Sequence, residues 1–191
     1  MRYWFPLFAL LLSAPVAADD VEERLSAGVA AWEAEEYEAA VAAWQEAAEE
    51  EHPDAWFNLG LAHETGRGVE KDYRTALTFY SRAARAGHAE AQFNAGVMLN
   101  EARGVFRSVP EALNMWRASA DQGFAPAQFN LGLLYARAEG VAKDVERALE
   151  LWEAAAVQGH EPARRALHLT YSEGLLGVDP DPEIAARWSE P

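Results

Sequence analysis

Between residues 53 and 160 the apolar and small positions return every three or four residues, and the whole pattern then returns every 36. PDAWFNLGLAHETGRGVEKDYRTALTFYSRAARAGH, AEAQFNAGVMLNEARGVFRSVPEALNMWRASADQGF and APAQFNLGLLYARAEGVAKDVERALELWEAAAVQGH follow one another without a gap. The short spacing is that of one buried helix face. The long one is that of a stacked unit, because a single helix pair cannot bury its own apolar face and needs neighbours. First helices are expected over Asp54–Thr65, Glu90–Ala102 and Pro126–Ala138, each followed by a loop and a second helix.

Glycine inside a helix costs about 1 kcal/mol against alanine. Gly60, Gly96 and Gly132 at one position therefore predict a close approach, backbone to backbone, with Ala76, Ala112 and Ala148 of the second helices. Gly68, Gly104 and Gly140 fall where the first helices stop and are expected at positive φ. Gly66 gives way to Ala102 and Ala138, so that column is expected to need no such geometry. Val69, Val105 and Val141 are apolar residues inside a turn and are expected to plug the space between helices. Asp72, Ser108 and Asp144 then cap the second helices, and Ser108 with Glu111 has the spacing of a capping box. Those helices carry Tyr80, Trp116 and Trp152 at helical spacing from the buried columns, which reads as core, and they end at Gly87, Gly123 and Gly159.

The flanks are partial copies. Residues 19–52 form a shorter helix pair, with 12 residues from Gly28 to Ala40 where 16 separate Gly60 from Ala76. Residues 161–191 begin a further unit with Glu161–Glu173, cap a last short helix with Asp181 and Pro182, and read as a terminal cap. Ahead of all this, residues 1–18 place Arg2 before the apolar run Trp4–Leu12 and the small-residue site SAPVAA, the layout of a cleaved export signal. The run is about half of what a bilayer span needs. No membrane insertion is expected after cleavage, and the location expected is periplasmic or secreted.

Composition narrows the partner. With 31 acidic and 16 basic residues the formal charge is −15, or −16 once Arg2 has left, which argues against nucleic acid and anionic lipid and favours a basic or neutral protein surface. There is no cysteine, hence no disulfide and no thiolate chemistry. The array is held by packing alone.

The shared pattern AxAQFNLGxxYxxGxGVxxDxxxALxxWxxAAxxG resembles the Sel1-like repeat, a tetratricopeptide-like unit with a longer loop, and residues 19–52 resemble an ordinary tetratricopeptide repeat. The resemblance implies an all-α, right-handed α-solenoid with three full repeats (53–88, 89–124, 125–160), a concave groove lined by first helices, and scaffold or adaptor roles. Exported bacterial members are often envelope regulators or assembly factors. Some carry a disulfide in each repeat; the absence of cysteine sets this chain apart from that group and from the penicillin-binding activity attributed to it.

Asn58, Asn94 and Asn130 form a ladder on the first helices, and an amide offers both donor and acceptor to a peptide backbone. In related tetratricopeptide domains an asparagine at the matching position contacts ligand backbone. Two readings stand: contact with a partner in the groove, or a structural bond to the next repeat. Phe57, Phe93 and Phe129 likewise either pave the groove or belong to the core. His52, His88 and His160 recur beside the C-cap glycines but lie too far apart, at about 10 Å per repeat, to share a metal whose ligands sit near 2 Å. No GxSxG, SxxK, HExxH, CxxC or GxxxxGK[ST] motif occurs. The chain is expected to be a monomeric, non-catalytic adaptor without cofactor or metal, binding a protein or an extended peptide. A structural or assembly subunit of an envelope machine, or a cell-wall or β-lactam hydrolase, are the alternatives.

Overall fold

Helix follows helix from the first described residue to the last: the computed structural model describes residues 18–189, and ten α-helices with no strand occur among them. The expected export signal, residues 1–18, lies outside the described residues but for Ala18. The helices are α1 (Ala18–Glu33), α2 (Tyr37–Glu49), α3 (Pro53–Thr65), α4 (Tyr73–Arg85), α5 (Ala89–Asn100), α6 (Val109–Asp121), α7 (Ala125–Arg137), α8 (Val145–Ala156), α9 (Glu161–Glu173) and α10 (Pro182–Arg187). Each packs on the one before and the one after it, the pattern of an α-solenoid. None is long and apolar enough to cross a membrane.

Alanine columns form the spine. Ala55, Ala91, Ala127 and Ala163 on the first helices and Ala40, Ala76, Ala112 and Ala148 on the second are fully buried. Small side chains here let helices approach closely, and large ones fill the space between: Trp44, Tyr80, Trp116 and Trp152 are all buried. The central glycines face these rings first, and only Gly132 also meets the facing alanine backbone that their spacing suggested, where a Cβ would stand 3.1 Å from the Ala148 carbonyl oxygen. A Cβ on Gly60 would stand 2.7 Å from the Tyr80 ring, and one on Gly96 or Gly132 would stand 2.5 Å from the indole nitrogen of Trp116 or Trp152. Gly28 repeats the arrangement under Trp44. The ring lies against bare backbone, so the aromatic column accounts for the glycines in every unit, with the Ala148 backbone contributing at Gly132.

Loop geometry confirms one glycine column and corrects another. Gly68, Gly104 and Gly140 have φ of 71°, 72° and 73°. The column two residues earlier is left-handed as well: Gly66 at 74°, Ala102 at 59° and Ala138 at 58°. Alanine is tolerated there because αL costs an L-residue only about 1–2 kcal/mol, and the C-cap amide bonds this geometry allows, such as Arg103 N–H to Met98 O at 3.0 Å, offset part of it. Val69, Val105 and Val141 are half-buried against the core, as their position in the turn implied.

Asp72 and Asp144 cap their helices, accepting from the amides of Arg74 and Arg147, both at 2.9 Å. Ser108 occupies the N-cap position but its hydroxyl accepts no amide hydrogen, so the expected capping box is not formed. Pro110, in the first turn, removes one of the donors such a cap would reach. The second helices end as expected, at Gly87, Gly123 and Gly159 with φ of 93°, 86° and 85°. At the C-terminal end Asp181 accepts from the amides of Glu183 and Ile184, with Pro182 opening α10.

Candidate partner-binding face

The first helices α3, α5 and α7 share one exposed edge, and on it the asparagine ladder sits half-buried, one rung per repeat. Three residues further on come Leu61, Val97 and Leu133, also half-buried, because positions three apart lie side by side on a helix. Between α5 and α7 this edge opens into a cleft of about 190 Å³. Val97 and Leu133 give it apolar walls, Asn130 a polar one, and Glu101, Arg137 and Glu139 charge its rim.

The rungs are not equivalent. Asn94 stands near the hydroxyl of Tyr80 in the preceding repeat, which donates to Glu64 at 2.8 Å. In the next repeat the aromatic column holds Trp116, whose indole N–H donates instead to the Phe93 carbonyl at 3.1 Å. It has no hydroxyl to offer, and Asn130 lines the cleft.

Phe57, Phe93 and Phe129 are half-buried, each against the residue that precedes the next first helix. Phe57 stacks on His88 with centroids 4.6 Å apart, Phe93 meets Phe124 edge-on at 5.4 Å, and Phe129 meets His160 at 5.1 Å. They therefore tie each first helix to the N-cap of the next. The same contacts account for the histidines, which stand at the N-cap positions of α3, α5 and α9. His52 and His88 accept amide hydrogens through Nδ1, at 3.3 and 3.2 Å. Burial holds the His160 imidazolium pKa below its usual range. Among the described residues no three His, Asp or Glu side chains converge as metal ligands would.

Two polar features escaped the sequence reading. Gln92 donates to the carbonyl of Ala84 at 3.1 Å and accepts from Gln122 at 2.8 Å; one repeat on, Gln128 and Gln158 repeat the bond at 2.9 Å. These buried amides add a second donor to carbonyls at the ends of second helices, Ala84 and Ala120, which also accept from the amides of Gly87 and Gly123. Their 36-residue spacing was the available signal. The other feature is Glu64, which accepts from Tyr80 at 2.8 Å and from Arg103 of the next loop at 2.9 Å, while Arg103 also pairs with Glu101 at 2.6 Å. Burial first, and then the bond to the Glu64 carboxylate, push the Tyr80 phenol well above its usual pKa. Column spacing held no sign of this cluster, because Glu64 aligns with Asn100 and Ala136.

Residues 53–88, 89–124, 125–160 and 164–190 each match the Sel1 repeat. Among solved structures, a Sel1 repeat protein from Oxalobacter formigenes superposes with a TM-score of 0.80 at 30% identity, over 86% of this chain and 65% of that one. The protein c5321, a protective antigen present in uropathogenic Escherichia coli strains displaying an SLR fold, superposes with a TM-score of 0.80 at 27% identity, over 88% of this chain and 37% of that one. The chain thus spans less than two thirds of the length of either. No curated protein matches it. Such repeats form a scaffold typical of protein–protein interaction and generally without catalysis. With four matched repeats covering well over half its length, the chain belongs to the Sel1 repeat family.

Proposed function

We propose that the protein is an exported, non-catalytic adaptor that holds a segment of another protein along the edge of its first helices. The observation that carries this reading is the cleft between α5 and α7, where apolar walls from Val97 and Leu133 meet the amide of Asn130. That combination suits an extended peptide: side chains enter the apolar walls while the backbone finds an amide partner, each bond worth about 0.5–1.5 kcal/mol. Asn58 and Asn94 extend the same edge across three repeats. Export rests on the layout of residues 1–18 and places the adaptor in the cell envelope or outside the cell.

The test is selection from a displayed random library of peptides about ten residues long, enough to cross three rungs about 10 Å apart at about 3.3 Å per residue. Peptides enriched on the wild type are expected to lose at least about tenfold in affinity for an Asn130→Ala, Leu133→Ala double variant and to be retained by Arg117→Ala on the outer face. Enrichment that survives the double variant, or that disappears with Arg117→Ala, refutes the groove. Mass spectrometry of the protein from a periplasmic or secreted fraction should find a mature start near Asp19; uncleaved chain in the membrane refutes export.

A further inference from the structure

The outer faces of α2 and α4 carry opposite charges in the same register. Both helices are 13 residues long and begin 36 residues apart, at Tyr37 and Tyr73. Along α4 the exposed stripe is Arg74, Thr78, Arg82 and Arg85; along α2 the same columns hold Glu38, Ala42, Glu46 and Glu49. Every arginine of the stripe thus has a glutamate at its own height on the neighbouring second helix. The helix α4 contains no acidic residue, in a chain whose residues 20–52 hold eleven acidic side chains against Arg24 alone.

These arginines are uncommitted. No carboxylate lies within 4.0 Å of Arg74, Arg82 or Arg85 among the described residues, and of the three glutamates only Glu46 has a partner, Arg24 at 3.5 Å. The stripe borders a depression of about 430 Å³ with Leu77 and Val105 in its lining. Beside Val105 stands Phe106, 97% exposed. Unpaired arginines beside a depression partly lined by Leu77 and Val105 make a surface suited to being covered.

We infer that this face pairs with the same face of a second copy about a two-fold axis running parallel to the helices between α2 and α4. That operation lays α2 of one copy on α4 of the other in the same direction and at the same height. Glu38 then faces Arg74, Glu46 faces Arg82 and Glu49 faces Arg85, and each pairing occurs twice because a two-fold interface is self-complementary. A two-fold axis across the helices would instead set α2 on α2 and α4 on α4, like charge on like. Two helices of about 20 Å at about 10 Å spacing offer only about 400 Å² per copy, below the standard interface, so the dimer is weak and reversible. The net charge of −15 opposes association at long range, and salt near 0.1 M screens that repulsion beyond about 10 Å while sparing pairs in contact. A dimer of this kind replaces the monomer expected from the sequence. It leaves both first-helix edges outward and makes the adaptor bivalent, yet it does not depend on the groove reading.

Sedimentation equilibrium of the purified protein tests it. Reversible dimerisation is expected in about 0.1 M sodium chloride, weakening at least about tenfold in about 0.5 M. Arg74→Glu/Arg82→Glu/Arg85→Glu and Glu38→Arg/Glu46→Arg/Glu49→Arg should each be monomeric alone, with helical content and melting temperature retained. Mixed in equal amounts they should form a heterodimer, since every contact is again between opposite charges. A control with the same charge change elsewhere, Glu146→Arg/Glu153→Arg/Glu173→Arg, keeps the wild-type face and should dimerise with itself while leaving the arginine-reversed chain monomeric in the mixture. A monomeric wild type at low salt, an arginine-reversed variant that dimerises alone, or a mixture no more associated than its components overturns the inference.

Discussion

The first full repeat and the two after it answer one packing problem in two ways. In the second and third, the ring over the central glycine is an indole, and its N–H donates within the same repeat, from Trp116 to Phe93 O and from Trp152 to Phe129 O at 3.2 Å. In the first, the ring is Tyr80, whose hydroxyl donates to Glu64 of the same repeat, and Glu64 in turn accepts from Arg103 of the next. The N-terminal pair marks the limit of the scheme: Trp44 is buried but its Nε1 finds no partner among the described residues. A buried polar atom must be satisfied or it destabilises. Where the ring carries a hydroxyl in place of an N–H, its partner changes from a backbone carbonyl to a carboxylate of the same repeat, which Arg103 ties to the next repeat as a polar latch.

The harshest way to break the comparison is to remove the glycine both solutions share. Gly96→Leu would drive a side chain into the Trp116 indole and should destabilise by about 1–3 kcal/mol or more, read as a melting temperature several degrees lower. An unchanged melting temperature would mean the ring is free to move aside.

Alkaline pH separates the two solutions next. Because Tyr80 has its pKa raised in the folded protein, the stability linked to it is complete below the unfolded value near 10 and is lost as pH climbs above it. Above pH 10 the wild type should lose up to about 1.4 kcal/mol per pH unit more than Tyr80→Trp, which has no phenol there. Parallel melting curves for the two proteins from pH 9 to 11 would contradict this.

A smaller effect sharpens the latch itself. Tyr80→Phe and Glu64→Gln, singly and together, should show a coupling of about 0.5–1.5 kcal/mol in denaturant unfolding, since each removes one end of the same bond. Additive losses would mean that Arg103 alone holds Glu64. Smallest of all is the C-cap column, where the first repeat again differs from its neighbours. Gly66→Ala should cost about 1 kcal/mol, with its new Cβ 2.9 Å from that of Lys71, whereas Ala102→Gly should gain a few tenths. Equal and negligible changes would show that the left-handed residue carries no strain.

Much of the fold was legible in the sequence. The 36-residue period placed the helices to within a residue or two, because small residues at fixed columns are demanded by close helix packing whatever the exposed residues are. The paired carbonyl and amide columns of Gln92 and Gln128 were visible as repeats but not interpretable, since only the neighbour's position reveals what a buried amide satisfies. Gly66 misled because alanine in two repeats suggested ordinary φ, while the backbone needed for the C-cap overrode residue preference in all three. The candidate face was legible in part: Asn130 lines the cleft, but Asn94 stands near Tyr80, a residue 14 positions earlier whose place in space the spacing did not reveal.

By itself, then, the chain determined its units, their caps and turns, and the identity of its buried columns, all of which follow from spacing along a helix or from local backbone chemistry. The tertiary structure decided what faces each column. Whether glycine meets a ring or a backbone, whether a phenylalanine paves an open edge or clamps on the next N-cap, and whether Glu46 stands level with Arg82 depend on how helices pack within and between repeats, which joins residues some 20 to 40 positions apart and leaves no mark on local pattern.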